Sequence, residues 1–359
     1  MDIFTKIKAH QERNQPLVAF RYPTHTQNTN YLIKAYLQKN TKLYTVKDFQ
    51  ESGFLLAPFL EEQNPILFPC SACEIVQEQV SKATLPDHQQ KATIKDESPT
   101  TKEEHLRRIQ KALEKIEDNT FKKVVLSRKI DFPSPLSPLT LFKRLLKQYP
   151  TAFVYLWHHP DVGTWLGASP EVLLKLNGLK LQTMALASTQ PVEDHKLPQW
   201  TSKEIKEQAF VSDFIKKQLA PYTSTLQIGQ TENAKAGKLW HLKSKISGRI
   251  KNRNALKNIL HSIHPTPAVC GIPKKETQKF IVQNENYNRE YYSGFLGELN
   301  LQELHTPRKT ALFVNLRCMQ ANDPFYRIYV GGGIVKGSVP EKEWQETINK
   351  SKTMLDVLG

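Results

Sequence analysis

Residues 317–350 read RCMQANDPFYRIYVGGGIVKGSVPEKEWQETINK and combine an arginine, three consecutive glycines and a helix-forming segment. Residues 311–318, which overlap the start of this stretch, alternate between aliphatic and other side chains. This alternation predicts a strand with its aliphatic residues on one face and Arg317 on the other. The next strand is expected to end in a turn at residues 331–333, where missing side chains let a ligand approach the backbone. The stretch therefore suits a site for an anion or a metal ion.

The segment that follows Pro340 predicts a helix, because proline is favoured in the first helical turn. At about 100° per residue, Glu343, Glu346 and Lys350 fall in one arc together with two apolar residues further along. Taken alone, Glu346 and Lys350 are an ordinary surface pair worth roughly 0.2–0.5 kcal/mol. The same arc also suits a stripe that faces the interior, so this helix leaves both interpretations open.

A second predicted helix, over residues 202–219, favours an interior site. In angle, Glu207 lies among Phe210, Val211 and Phe214. Lys203 is one turn earlier on the same side. An unpaired carboxylate in an apolar stripe is costly, so Glu207 needs a partner. Glutamates on two separate helices are suitable hard oxygen ligands for Mg²⁺, which usually keeps several waters and is completed by an anionic substrate.

Length and charge limit the class of protein. With 359 residues and 39% hydrophobic content, the chain can build a substantial core in one large or two medium domains. Its formal charge of +15 favours anionic partners through long-range attraction. No helix-turn-helix, RNA-recognition or zinc-finger pattern accompanies the scattered lysines, so nucleic acid is not the expected partner.

The four cysteines do not form a zinc-binding pattern. Cys70 and Cys73 are one close pair, and Cys270 and Cys318 are isolated. We expect packed thiols in a reducing compartment, with a redox-active pair as the alternative. The chain shows no secretory signal and no run of 18 apolar residues, which predicts a cytoplasmic protein without membrane association.

Two regions are predicted from the distribution of motifs. Residues 1–100 contain short strand-like runs and most of a polar connection at 85–101, whereas residues 101–359 hold nearly every motif. Asn177 and Gly178 separate two apolar runs, which predicts a hairpin with both residues at the positive φ angles of a type I′ turn. Strands and helices alternate without the rhythm of a doubly wound sheet. The patterns favour an α+β fold with sheets in the centre and helices outside.

Nine short motifs together resemble the chorismate-utilising enzymes, and among these the isochorismate synthases most closely. The resemblance covers roughly residues 105–359, and the motifs occur in the order that the family shows. It implies a large single-domain α+β fold with central, mostly antiparallel sheets packed between outer helices. The motifs are KVVLSR (123–128), LGASPE (166–171), KEIKEQAFV (203–211), LWHL (239–242), HPTPAVCGIP (264–273), NREYYSGFLG (288–297), LRC (316–318), VGGGIV (330–335) and EWQETINK (343–350).

The resemblance also implies metal and substrate ligands. Family members bind the dianion chorismate over Mg²⁺, which makes Glu207 and Glu346 the expected metal ligands, with Glu343 beside them as a supporting or water-mediated contact. Arg317 and Lys350 would hold the substrate carboxylates, since a planar guanidinium can bind a carboxylate through two hydrogen bonds. The further substrate contacts implied are Ala187, Ser188, His241, Gly331, Gly332 and Gly333.

Lys123 and Glu171 decide the expected chemistry. Without the resemblance, Lys123 is an ordinary surface lysine of a strand; in isochorismate synthases the lysine of KVVLSR activates water, and ammonia-using relatives typically lack it. Glu171 would be the general acid for the departing C4 hydroxyl, and an apolar surrounding would keep it protonated. We therefore expect a Mg²⁺-dependent isochorismate synthase, an isomerase that adds water at C2 of chorismate.

Other activities stay open at this point. A salicylate synthase shares the base and the acid but goes on to eliminate pyruvate. An anthranilate or aminodeoxychorismate synthase uses ammonia and a glutaminase subunit, which we do not expect here. A basic anion- or nucleic-acid-binding protein is the non-enzymatic alternative. The sequence does not separate menaquinone from siderophore biosynthesis, and we expect a monomer or a weak homodimer.

The chain departs from the family pattern at two positions. It has Ala187, Ser188 and Thr189 where the family usually has Ala-Gly-Ser or Ala-Gly-Thr, and Gln208 where a histidine is usual. Ser188 thus adds a side chain where the backbone is expected to approach the substrate closely.

Overall fold

Helices and strands are interspersed along the chain, and the computed structural model describes residues 1–87, 99–193 and 196–358. The predicted connection at 85–101 lies mostly outside the described residues. The helices are α1 (Ile3–Glu12), α2 (Lys102–Glu117), α3 (Pro138–Gln148), α4 (Ser202–Leu219), α5 (Leu256–Ile263), α6 (Lys274–Asn284) and α7 (Pro340–Leu358). The strands are β1 (Leu17–Arg21), β2 (Asn30–Gln38), β3 (Tyr44–Thr45), β4 (Gly53–Ala57), β5 (Ile66–Pro69), β6 (Cys73–Ser81), β7 (Lys123–Pro133), β8 (Phe153–His159), β9 (Gly163–Ser169), β10 (Val172–Asn177), β11 (Lys180–Pro191), β12 (Thr223–Ala236), β13 (Leu239–Ile250), β14 (Gly271–Ile272), β15 (Phe295–Leu301), β16 (Lys309–Val314), β17 (Cys318–Asn322) and β18 (Phe325–Val335).

Two sheets of nine strands each form the centre of the molecule. The first has the order β14-β7-β18-β17-β9-β8-β1-β2-β6, and the second the order β12-β13-β11-β10-β16-β15-β4-β5-β3. The strand pairs in the described residues are antiparallel, as predicted. Both sheets include strands from the first hundred residues, since β1 pairs with β8 and β4 pairs with β15.

The inner faces of the two sheets pack against each other through aromatic side chains. Phe153 of β8 stacks on Phe313 of β16 with ring centroids 4.2 Å apart, and the centroids of Phe20 in β1 and Phe54 in β4 are 5.0 Å apart. Aromatic pairs add specific geometry to the burial of apolar area that holds two sheets together. On the outer faces, α1, α3 and α7 cover the first sheet, and α4 and α5 cover the second. The predicted α+β fold, with central sheets and outer helices, is therefore confirmed.

Two predictions about the opening stretch are wrong. β16 ends at Val314, and Arg317 lies in the connection to β17 with a φ angle of +50°. The chain leaves the strand at Asn315, whose buried amide accepts a hydrogen bond from Tyr155 and donates one to the backbone of Tyr291. The glycines at 331–333 form no turn, because they lie inside β18, which continues to Val335 and pairs with β7 throughout this stretch.

The predicted hairpin between β10 and β11 is present, but its turn differs. Asn177 pairs with Lys180, so Gly178 and Leu179 form the loop. Only Gly178 has a positive φ angle, at +57°, whereas a type I′ turn requires two. The turn therefore uses glycine at its first position and not the Asn-Gly pair.

The cysteines and the helices give two further observations. All four cysteines are free thiols, and Cys70 alone among them is not buried. Within the part of the chain that the structure describes, no helix is both long enough and apolar enough to cross a membrane.

Candidate active site

The candidate site is built on β7 and β18, which pair along their whole lengths. Lys123 is opposite Val335, and Gly333 is opposite Val125. Only 1% of the Lys123 side chain is exposed, and its Nζ contacts Oε1 of Glu207 from α4 at 2.8 Å. A Cβ atom on Gly333 would lie 2.8 Å from that Oε1 and 3.0 Å from Cε of the lysine. A side chain at position 333 would therefore displace the ends of Lys123 and Glu207 from this arrangement.

Two further ion pairs involve the acids of α7. Lys350 Nζ lies 2.5 Å from Glu346 Oε1 and also donates to the carbonyl oxygen of Gly331 at 2.9 Å. Lys203 of α4 pairs with Glu343 at 2.8 Å. Burial and the charge of Glu346 raise the pKa of Glu343, and the Lys203 ammonium opposes this shift. The two helices are thus joined by a pair that spans 140 residues of sequence.

The acids of α4 and α7 approach β18 from its two faces. Glu207 Oε1 is 2.8 Å from the position of a Cβ on Gly333, whereas Glu343 Oε2 and Glu346 Oε1 are 3.8 and 4.0 Å from one on Gly332. Neighbouring strand residues point to opposite faces, but Glu346 still borders the same cavity as Glu207. Among the described residues, no three acidic, histidine or cysteine side chains are close enough to hold one ion together. Mg²⁺ commonly needs only one or two carboxylates besides water and substrate, so the pair Glu207 and Glu346 fits its chemistry.

The predicted residues converge on a cavity of about 60 Å³. All of them border it except Gly332 and Glu343. Tyr292 also borders it; this residue belongs to the motif NREYYSGFLG but was not among the predicted site residues. A larger cavity, of 220 Å³, lies elsewhere beside Val46 and His264, and none of the predicted site residues lines it. Convergent charge, more than size, therefore identifies the candidate site.

Glu171 meets the condition for a general acid. It follows β9 in the LGASPE motif and is 3% exposed. Burial raises the pKa of Glu171 to about 8, although the charges of Lys123 and Arg317 act in the opposite direction. A carboxyl group with this pKa is mostly protonated at neutral pH and can donate a proton.

The carbonyl group of Arg317 explains a glycine in a distant motif. The Arg317 carbonyl oxygen accepts a hydrogen bond from the Ala168 amide at 2.9 Å. A Cβ on Gly167 would lie 2.7 Å from that oxygen, so only glycine leaves room for it. Burial lowers the pKa of Arg317, while Tyr292 and Glu346 counteract the shift. A guanidinium desolvated in this way is stabilised by an anionic ligand.

His241 is held as a neutral imidazole. Burial and the charge of Arg317 lower its pKa to about 3, against the effect of its hydrogen bond with Ser188. Nδ1 lies 2.9 Å from the Ser188 carbonyl oxygen, which can only accept, so the proton is assigned to Nδ1. Nε2 is buried and has no hydrogen-bond partner among the described residues. This arrangement suits Nε2 to accept a hydrogen bond from a ligand hydroxyl.

The two departures from the family pattern lie in different surroundings. Ser188 borders the cavity beside Ala187 and has a φ angle of +59°. Gln208 does not border it; its amide donates to the Ala185 carbonyl oxygen at 3.1 Å and to Ser244 Oγ at 3.2 Å, which ties α4 to the second sheet.

The fold and this set of side chains define a class of protein. The profile of the family described as chorismate binding enzyme matches residues 50–359, and the chain belongs to that family. Over 278 residues it is 30% identical to isochorismate synthase DhbC of Bacillus subtilis (strain 168), which covers 72% of this chain and 68% of that protein. Isochorismate synthase MenF of Pasteurella multocida (strain Pm70) is 30% identical over 269 residues, covering 71% of this chain and 61% of that protein. The solved structure of MenF, the menaquinone-specific isochorismate synthase from Escherichia coli, has the same fold, with a TM-score of 0.81 at 22% identity over 100% of this chain and 92% of that one.

Proposed function

We propose that this protein is an isochorismate synthase, an isomerase that converts chorismate to isochorismate. The observation that carries the proposal is the presence in one cavity of the buried Lys123 and of Glu171, whose pKa is raised to about 8. A lysine is the expected base for water, and a protonated carboxyl is the expected acid for a leaving hydroxyl. The relatives named isochorismate synthase, at 30% identity, support the same activity.

In the proposed reaction, Lys123 and Glu171 move one proton each. The ammonium of Lys123, which is paired with Glu207 in the resting protein, must first release a proton to solvent. Water then adds to C2 of chorismate and gives a proton to the resulting amine. The ring double bonds shift, and the C4 hydroxyl leaves as water with the proton of Glu171. The substrate gains and loses one hydroxyl group, so the product is an isomer. The proton then returns from Lys123 to Glu171 through solvent before the next turnover.

The remaining side chains would position the substrate. Arg317 and Lys350 border the cavity as cations and would bind the carboxylates of chorismate. His241 Nε2, as an acceptor, suits a substrate hydroxyl better than a carboxylate. Gly331 and Gly333 border the cavity, and the space beside them is taken by Tyr292 at the first and by the Lys123–Glu207 pair at the second.

Glu207 and Glu346 would hold Mg²⁺, with Glu343 kept in place by Lys203 beside them. When bound, the ion would anchor a substrate carboxylate and neutralise part of the dianion. Both acids are paired with lysines, Glu207 with Lys123 and Glu346 with Lys350, so a cation competes with these ammonium groups.

Incubation of the purified protein with chorismate and Mg²⁺, followed by identification of the product by NMR, tests the proposal. We expect isochorismate, no pyruvate, and loss of turnover with excess chelator. Salicylate with pyruvate would identify a salicylate synthase. An aromatic amine formed only after addition of ammonium would identify the amination branch. Chorismate left unchanged under all these conditions would overturn the proposal.

A further inference from the structure

Ser188 lies in a bulge of β11 that faces the candidate site. Along the pairing of β11 with β13, Ala187 is opposite Leu242 and Gln190 is opposite Trp240, so two residues of β11 oppose the single His241. Bulges of this kind place their first residue in the left-handed region, where glycine is favoured. Ser188 adopts a φ angle of +59° there, so this chain keeps a side chain at a strained position.

The side chain of Ser188 contacts an acid of the site. Its hydroxyl lies 2.8 Å from the Glu204 carbonyl oxygen and 3.2 Å from Glu207 Oε2, so its single proton is shared between these two acceptors. The other carboxylate oxygen of Glu207, Oε1, contacts Lys123 and faces the space left by Gly333. The hydroxyl therefore engages the oxygen that is turned away from β18, and leaves Oε1 directed towards it.

We propose that Ser188 is a positioning residue for Glu207, and that its hydroxyl sets the affinity of this carboxylate for a divalent cation. The inference rests on the proposed function, in which Glu207 is a metal ligand. A carboxylate fixed by a hydrogen bond on one oxygen presents the other in a defined direction, and loss of such outer contacts typically weakens metal binding about 10–100-fold. Glycine at this position would relieve the backbone but supply no hydroxyl. The strained serine is thus explained by a contact that only a side chain can make.

Two substitutions distinguish the effect of the Ser188 hydroxyl from that of the backbone angle. Ser188→Ala removes the hydroxyl and keeps a Cβ in the left-handed region, whereas Ser188→Gly removes both. Thr183→Val is the matched control, because Thr183 is a buried residue of the same strand whose hydroxyl donates only to the Leu173 carbonyl oxygen, at 2.7 Å, and does not border the cavity. Binding of Mg²⁺ alone is measured by titration calorimetry without chorismate, together with thermal melts and the kinetics of chorismate conversion.

Both Ser188 variants are expected to bind Mg²⁺ about 10-fold more weakly, and Thr183→Val as tightly as the wild type. Raised Mg²⁺ should restore most of the turnover of the Ser188 variants, which a damaged fold would not allow. Ser188→Gly should melt no lower than Ser188→Ala, since glycine tolerates the backbone angle.

Three outcomes overturn the inference. Unchanged Mg²⁺ affinity in both variants excludes a role for the hydroxyl, and weakened affinity in Ser188→Ala alone assigns the effect to backbone strain. A wild-type protein that binds no Mg²⁺ removes the ligand that Ser188 was proposed to serve. Failure of the proposed function is recognised separately, because the wild type then leaves chorismate unchanged whatever its affinity for Mg²⁺.

Discussion

Lys123 Nζ lies 2.8 Å from Glu207 Oε1, with 1% and 14% of the two side chains exposed. Removal of one partner from such a pair leaves a buried charge uncompensated, which costs roughly 3–5 kcal/mol. We expect Lys123→Gln and Glu207→Gln each to lower the free energy of unfolding, measured by urea denaturation. The double variant should lose less free energy of unfolding than the two single variants lose together, because neither charge remains in it. Strictly additive losses would show that the two side chains are not coupled.

Lys123→Gln and Glu171→Gln should each lose most turnover while remaining folded. General acid–base catalysis typically contributes about 10²–10⁴-fold, and we expect a drop of that order in kcat for each variant. The two losses should not multiply fully, since both residues serve one displacement. Chorismate consumption is measured together with thermal melts. A folded variant with wild-type kcat would remove its residue from the mechanism.

The pKa of Glu171 predicts a loss of activity at alkaline pH. As pH rises through about 8, the general acid of the free enzyme loses its proton, so kcat/KM should fall with an apparent pKa near that value. Rate measurements from pH 6 to about 9 check this, and a flat profile would exclude Glu171 as the acid that limits the reaction.

The same group makes stability depend on pH. The pKa of Glu171 in the folded protein, about 8, is above its ordinary value of 4.5. Its contribution to the free energy of unfolding is therefore complete below pH 4.5 and declines as pH rises towards 8. The wild type should therefore lose stability relative to Glu171→Gln by about 1.4 kcal/mol per pH unit within this window. Urea denaturation of both proteins at several pH values measures the difference. A constant difference from pH 5 to about 8 would mean that burial does not shift this carboxyl.

Gly333→Ala and Gly332→Ala are predicted to differ although the residues are neighbours in one strand. A Cβ at Gly333 would meet Glu207 Oε1 at 2.8 Å and Lys123 Cε at 3.0 Å, whereas one at Gly332 meets nothing closer than 3.7 Å. The first substitution displaces the ends of two flexible side chains. Misplacement of these groups should reduce turnover at least about 10-fold, while the melting temperature changes little. Gly332→Ala should be nearly neutral. Equal activities of the two variants would contradict the close packing at Gly333.

Helical periodicity predicted a large part of the site. The stripe of α4 that contains Glu207 also contains the buried Val211, and Glu346 and Lys350 pair on α7 at the predicted spacing. Relationships within one helix can be predicted from the sequence, because the spacing of the residues fixes which of them are neighbours. The burial of Lys123 was not predictable from its strand alone, because alternation does not tell which face is covered.

Contacts between distant segments account for what the sequence did not predict. Leu316 continues the alternation of β16 after the strand has ended, so Arg317 was expected on a strand face and is found in a connection. The glycines of β18 were predicted to form a turn, but they lie inside the strand. At Gly333 the missing side chain leaves room for the ion pair of Lys123 with Glu207. The pair of Lys203 with Glu343 joins two helices that have no sequence relationship. These features depend on three-dimensional proximity, which periodicity does not carry.

The position of β4 between β5 and β15 has a consequence for biosynthesis. All five residues of β4 are buried, yet β15 begins only at Phe295, so the ribosome releases β4 long before one of its partners exists. Pairing over such sequence distances slows folding, and an open apolar strand edge is prone to association with other chains in the meantime. The yield of folded protein should accordingly depend on the rate of translation and on chaperones that shield β4 during elongation.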